Sequence, residues 1–152
     1  MDITCDWHIH SRNSCDEASL SVSDLIAEAA EVGIADFGLT DHLHTPYNLP
    51  DLEASRREFL ASDPPTRFHF GVEVSVVSEW ELAELATGSH DSPVYGLRSG
   101  GPPGATPAIG IDGESLRRLS VEYVVGGTHW PLYVPLEREA VIRDYHRQNL
   151  FL

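Results

Sequence analysis

Cysteine is almost missing from this chain of 152 residues: Cys5 and Cys15 are the only two. A disulfide framework and a thiolate-rich structural zinc site are both excluded, and a reducing, cytoplasmic setting is the expectation. No apolar run approaches the roughly 20 residues that cross a bilayer, and the acidic, histidine-bearing start lacks the pattern of a signal peptide, so no membrane association is expected. Basic residues are also few. Ten face 24 acids, a formal net charge of −14, and such a surface repels a phosphate backbone, so nucleic acid is not an expected partner. A small phosphorylated substrate is still allowed, because bound cations reverse the local field inside an acidic protein. The segment 99–107, "SGGPPGATP", lacks the Gly-Lys-Ser/Thr ending of a phosphate-cradling loop, which removes a nucleotide site there.

What remains is ordinary globular material, 41% hydrophobic and 22% charged, with no internal repeat and no low-complexity tail. At this length one domain buries about 70% of its unfolded surface. Residues 2–10 alternate as a strand, which places Thr4, Asp6, His8 and His10 on one face. Val22, Leu25, Ile26, Ala29 and Ala30 form an apolar stripe and predict a helix over 22–32, begun by Ser21 with Asp24 and stopped by Gly33. Strands are predicted at 34–42, 67–78 and 121–130, and helices at 51–62, 113–119 and 136 onward. The stretch 87–113 reads as a loop or hairpin insertion. Alternating strands and helices mean an α/β protein with a mainly parallel sheet.

The chemistry lies where the strands stop. The first is expected to end at His10, the second at His42, the third near Glu73 and the fourth at His129. In parallel sheets the C-terminal strand ends form one functional face. Neutral imidazole and carboxylate are ligands suited to zinc, iron and manganese. A carboxylate in an apolar strand is costly to bury unless paired or bound to a cation, which singles out Glu73. His-x-His alone is a weak signal; with Thr40-Asp41-His42, Gly71-Val72-Glu73 and Gly126-Gly127-Thr128-His129 it becomes a strong one.

Those segments, "DWHIHS" at 6–11, "TDH" at 40–42, "GVEVS" at 71–75 and "GGTHW" at 126–130, resemble the PHP superfamily of polymerase and histidinol phosphatase domains, nearest its histidinol-phosphatase-like branch. The resemblance implies a distorted (β/α)7 barrel, of which the chain holds the first four strands or so, and up to three divalent ions (Zn, Mn or Fe). Carried across, His8 and His10 bind a first metal, Glu73 bridges it to a second held by His129, and Asp16 with His42 serves a third. Asp41 is assigned a supporting or structural role, His69 the core or barrel floor, and His44, His90 and His146 loop or helix surfaces. Cys15 is a bystander and Arg12 a solvated surface residue. The family's later motifs, a further histidine strand and an Asp-x-His, have no counterpart: no histidine follows His146 and no acid follows Asp144. The expectation is therefore a single PHP-like domain over 1–152, incomplete at its C-terminus, unless water, a neighbouring chain or altered geometry completes the site. Unpaired sheet edges would then favour homo-oligomers.

The expected activity is hydrolysis of a small phosphomonoester by a metal-activated water, without a Ser or Cys nucleophile. Two rivals differ in class: an inactive truncated PHP fragment, and a metal-dependent amidohydrolase, which shares the His-x-His opening but is disfavoured by Thr-Asp-His.

Overall fold

The computed structural model describes residues 4–91 and 93–152. Strand β1 (Cys5–Ile9) leads to helix α1 (Val22–Val32), β2 (Asp36–Leu39), β3 (His42–Leu43) and α2 (Leu49–Ala61). Then follow β4 (Phe68–Ser78), α3 (Glu79–Ala86), β5 (Pro107–Ile109), α4 (Gly113–Arg118), β6 (Tyr123–Gly127) and α5 (Arg138–Phe151). Helix α1 occupies the predicted span. Ser21 and Asp24 cap it reciprocally, and Gly33 ends it at φ 81°, a left-handed conformation that carries a penalty for residues with a Cβ. No helix among the described residues is long and apolar enough to cross a membrane.

Strand β4 is the hub. It pairs in parallel with β2, β3 and β6, while β5 adds antiparallel at its far end. Alternation along β4 separates two environments. Phe68, Phe70, Val72 and Val74 join Val22, Leu25 and Ala29 of α1, Leu52 and Phe59 of α2, and Leu119 in one buried cluster. The opposite face carries His69, Gly71, Glu73 and Ser75.

On that second face the sheet is curled. Tyr123 of β6 lies across Gly71 of β4 and Gly38 of β2, and its hydroxyl donates to the Trp7 carbonyl of β1 at 3.1 Å. One side chain thus spans four strands, which only a concave sheet permits. A parallel sheet curled into a half-barrel, with helices on its convex side, fits a partial (β/α) barrel. The floor of the trough is aromatic: Trp7 stacks on His69 at 4.4 Å and meets Tyr123 edge-on at 5.0 Å.

Three expectations change. Alternation through β1 fails, because a register shift between Asp6 and Ile9 places an extra residue against β2. Asp6 then faces with Phe37, whereas Trp7, His8 and His10 all reach the concave side, as a bulge allows. The strand predicted over 34–42 is interrupted at Thr40 and Asp41, then resumes at the same offset against β4, with His42 opposite Glu73. The third strand does not end near Glu73 but continues to Ser78, so Glu73 is a strand-interior residue. Helix α3, outside the predicted set, starts where the Ser78 hydroxyl accepts the Glu81 N–H at 3.1 Å; the Ser-x-x-Glu signature was present in the sequence.

Glu58 of α2 ties the loop after β1 to α1. Its carboxylate accepts from Asn13 Nδ2 at 2.7 Å and Val22 N at 3.1 Å, and pairs with Arg12 at 3.1 Å, so Arg12 is engaged rather than free in solvent. Burial opposes its charge, but these donors outweigh burial and hold its pKa below the ordinary value. A depressed carboxylate pKa contributes stability above the unfolded value and loses it as pH falls through the folded one. Glu58→Gln is expected to lose about 1–2 kcal/mol at pH 7. The gap from wild type should shrink below about pH 4, as urea unfolding at several pH values would read. A Cβ on residue 71 would meet Tyr123 Cζ at 2.5 Å. Gly71→Ala should therefore destabilise by about 1–3 kcal/mol, and by clearly less in a Tyr123→Leu background.

Candidate metal centre

Three other segments converge on the Glu73 carboxylate, which is 5% exposed. One oxygen, Oε2, has His8 Nε2 at 2.8 Å, His10 Nε2 at 3.1 Å and His42 Nδ1 at 3.2 Å; the other, Oε1, has His129 Nε2 at 3.2 Å. Asp16 stands one layer out, with Oδ2 at 2.5 Å from His10 Nδ1 and 3.7 Å from His42 Nε2. All six predicted residues are thus neighbours. His10, His42 and Glu73 are each shared between overlapping groups: His8–His10–Glu73, His10–Asp16–His42 and His42–Glu73–His129.

Local sequence explains the convergence. The bulge in β1 aims both His8 and His10 inward. The preserved offset between β3 and β4 sets His42 beside Glu73. His129 lies two residues past β6 and folds back over Gly127, where a Cβ would meet His129 Cε1 at 2.4 Å and Glu73 Oε1 at 2.8 Å. Behind them, Asp41 accepts the Ser11 N–H at 2.6 Å and the Ser11 hydroxyl at 2.7 Å, which pins the end of β1 to the start of β3.

This arrangement fits a cation better than it fits hydrogen bonds. A carboxylate oxygen has two lone pairs, yet three imidazole nitrogens crowd Oε2. His10 Nε2 and His42 Nδ1 are buried and make no hydrogen bond in usable geometry. Buried polar atoms without partners are rare in folded proteins, and imidazole with carboxylate is the donor set that divalent transition ions take. Electrostatics agree. Burial would raise the Glu73 pKa, but the close imidazoles of His10, His129 and His8 hold it well below the usual range. The Glu73 carboxylate, against the pull of burial and with help from Asp16, pushes His10 up to about 9. Burial lowers His42, over the opposition of Glu73. The charged His10 therefore offsets part of the negative charge of Glu73 and Asp16, and the neutral His42 keeps a free lone pair.

His44, expected on a loop or helix surface, is instead 3% exposed and belongs to this cluster. It stacks on His42 at 4.5 Å, and burial, then His42 and His129, lowers its pKa to about 4. Ser75 Oγ sits between His44 Nδ1 at 2.5 Å and His129 Nδ1 at 2.8 Å, which presents the Nε2 of His129 to Glu73. Both had a signal. His42-x-His44 repeats the spacing of His8-x-His10, and Ser75 shares the strand face of Glu73. Of the others, His69 pairs with Glu122 at 2.8 Å on the trough floor, His90 is half-buried in a bend, and His146 is exposed on α5. Cys15 belongs to none of the three groups, and burial keeps its thiol protonated.

Fold and cluster together define an α/β protein with a cation-competent imidazole–carboxylate centre in the trough of a parallel sheet. The family model described as PHP domain matches residues 6–146, and the chain belongs to that family. Its members are generally metal-dependent hydrolases. No curated protein and no solved structure matches the chain significantly.

Removing Asp41 would leave a buried N–H and hydroxyl of Ser11, itself fully buried, without an acceptor. Asp41→Ala is expected to destabilise the fold by roughly 2–4 kcal/mol in denaturant unfolding. A change below about 0.5 kcal/mol would show that water replaces the carboxylate at no cost.

Proposed function

We propose that the protein is a metal-dependent phosphoesterase, histidinol-phosphatase-like, acting on a small phosphomonoester in the cytoplasm. The observation that carries this reading is the crowding of three imidazole nitrogens around one oxygen of a buried carboxylate. In this assignment His8 and His10 hold one ion, Glu73 is shared with a second held by His129, and Asp16 with His42 serves a third. The overlap of the three groups supports a cluster rather than isolated sites. Zinc, manganese or iron in such a set supplies Lewis-acid charge to phosphoryl oxygens and lowers the pKa of water toward neutrality.

The chain's own groups then have defined tasks. Glu73 brings negative charge to the centre of four imidazoles, and Ser75 orients the His129 ring. Asp41 and Ser11 hold the two histidine-bearing strands at a fixed spacing. No protein nucleophile is required: the Ser11 hydroxyl is spent on Asp41, the Ser75 hydroxyl sits between His44 and His129, and burial keeps the Cys15 thiol protonated. The surplus of acids over bases, 24 against 10, also favours an acidic protein that meets an anionic substrate through cations.

Purified chain loaded with manganese or zinc should contain metal by elemental analysis. It should also release phosphate from histidinol phosphate or a chromogenic phosphomonoester. His8→Ala and Glu73→Ala are expected to lose at least about 100-fold in turnover together with bound metal. Undiminished activity in both variants would refute the mechanism, and a folded protein with near-zero metal would refute the centre.

A further inference from the structure

The metal centre leaves Arg98 without a role. The ten basic side chains of this protein are all arginine, and most have work elsewhere. Arg12, Arg67, Arg118, Arg143 and Arg147 pair with Glu58, Asp36, Glu53, Glu139 and Asp144. Arg56 lies over Phe59 and Phe70. Arg98 has no carboxylate partner among the described residues, and its single hydrogen bond there is from Nε to the Tyr95 carbonyl, at 3.2 Å. Among the described residues, both terminal nitrogens are uncommitted.

Arg98 is exposed, and two aromatic rings and its backbone place it beside the cluster. The guanidinium carbon stands 4.7 Å from the Trp130 ring centroid and 5.4 Å from that of Tyr95. Those rings form the wall beside the cluster: Trp130 lies 5.3 Å from His44 and 5.7 Å from His129, and Tyr95 lies 5.5 Å from His44. The Tyr95 hydroxyl donates to the Cys15 carbonyl, so this wall reaches the loop that carries Asp16. The backbone is held as well. Arg98 adopts φ 55°, a left-handed conformation unfavourable to a residue with a Cβ. The Leu97 N–H just before it donates at 2.6 Å to Glu81, a fully buried carboxylate that also accepts from the Tyr133 hydroxyl. Buried carboxylates and strained backbone are expensive, and they persist where surrounding structure holds a group in place.

We propose that Arg98 receives an oxyanion of the substrate, the phosphoryl group in the phosphoesterase reading, and so sets the preference for anionic substrates at this site. The guanidinium lies over two ring faces and its terminal N–H groups have no partner among the described residues, so the fork can take two oxygens side by side. With the fork already ordered, less entropy is lost on binding. In a protein of net charge −14, one guanidinium on the wall of the cluster is the local correction that an arriving phosphate needs.

The inference rests on the proposed function, and the test separates the two. Wild type, Arg98→Gln and Arg98→Lys are loaded with manganese and assayed for metal content. KM and kcat on a chromogenic phosphomonoester follow, then inhibition by inorganic phosphate and calorimetric phosphate binding. Arg98→Gln should raise KM and the phosphate inhibition constant by about 10-fold or more, with metal content and thermal unfolding unchanged. Arg98→Lys, a point charge without the fork, should restore only part of the loss. It also keeps the comparison intact if the glutamine form does not fold. KM and inhibition constants within about two-fold of wild type in both variants would overturn the proposal. If metal-loaded wild type hydrolyses no phosphomonoester, the function proposed above fails, and calorimetry alone judges Arg98. Phosphate binding by wild type that is weakened in both variants sustains the assignment; equal binding in all three, or none in wild type, overturns it.

Discussion

A carboxylate buried inside an apolar strand is the constraint on which this structure turns. Glu73 has Val72 and Val74 as neighbours, both at most 1% exposed, and sits where ionisation without a partner is prohibitive. Four imidazoles from three other segments lower that cost. Each must then be delivered to the same face of β4. The bulge in β1, the preserved offset of β3 and the bare Cα of Gly127 each serve that delivery.

The curl of the sheet is the second half of the same requirement. His8 belongs to β1 and His129 follows β6, two strands separated by β2 and β4. On a flat sheet their side chains would stand about 14 Å apart at the usual strand spacing. Tyr123, laid over Gly38 and Gly71, holds the trough closed from below, with Trp7 and His69 beside it. Apolar packing with helices α1 and α2 supports the convex side. Floor and centre therefore lie on one concave surface, aromatic at one end and polar at the other.

Arg98 extends this logic from the centre to its rim. Among the described residues, the segment after α3 has neither helix nor strand until β5, yet Glu81 and Tyr133 anchor it at Leu97. Trp130 links it to the site, because that residue directly follows His129. In the proposed reading, binding at the rim and charge at the centre are carried by separate parts of the molecule.

Much of this was readable one residue at a time. Periodicity and caps located α1, and the β-branched run located β4, because local propensity and local burial agree there. The residues around Glu73 were legible too, since polar side chains at parallel strand ends have few other reasons to cluster. Failures occurred where a local rule met a non-local partner. Alternation assigned Asp6 to the face of His8 because a bulge leaves no mark in periodicity. His44 read as surface because its burial depends on Ser75 and Trp130, distant in sequence. Chain order and side-chain chemistry alone determined which groups reach the strand ends and that they suit cations. Strand order, offset and curl decided which oxygen each imidazole meets and which arginine stands beside them, because those distances are set by packing between segments rather than by the spacing within any one.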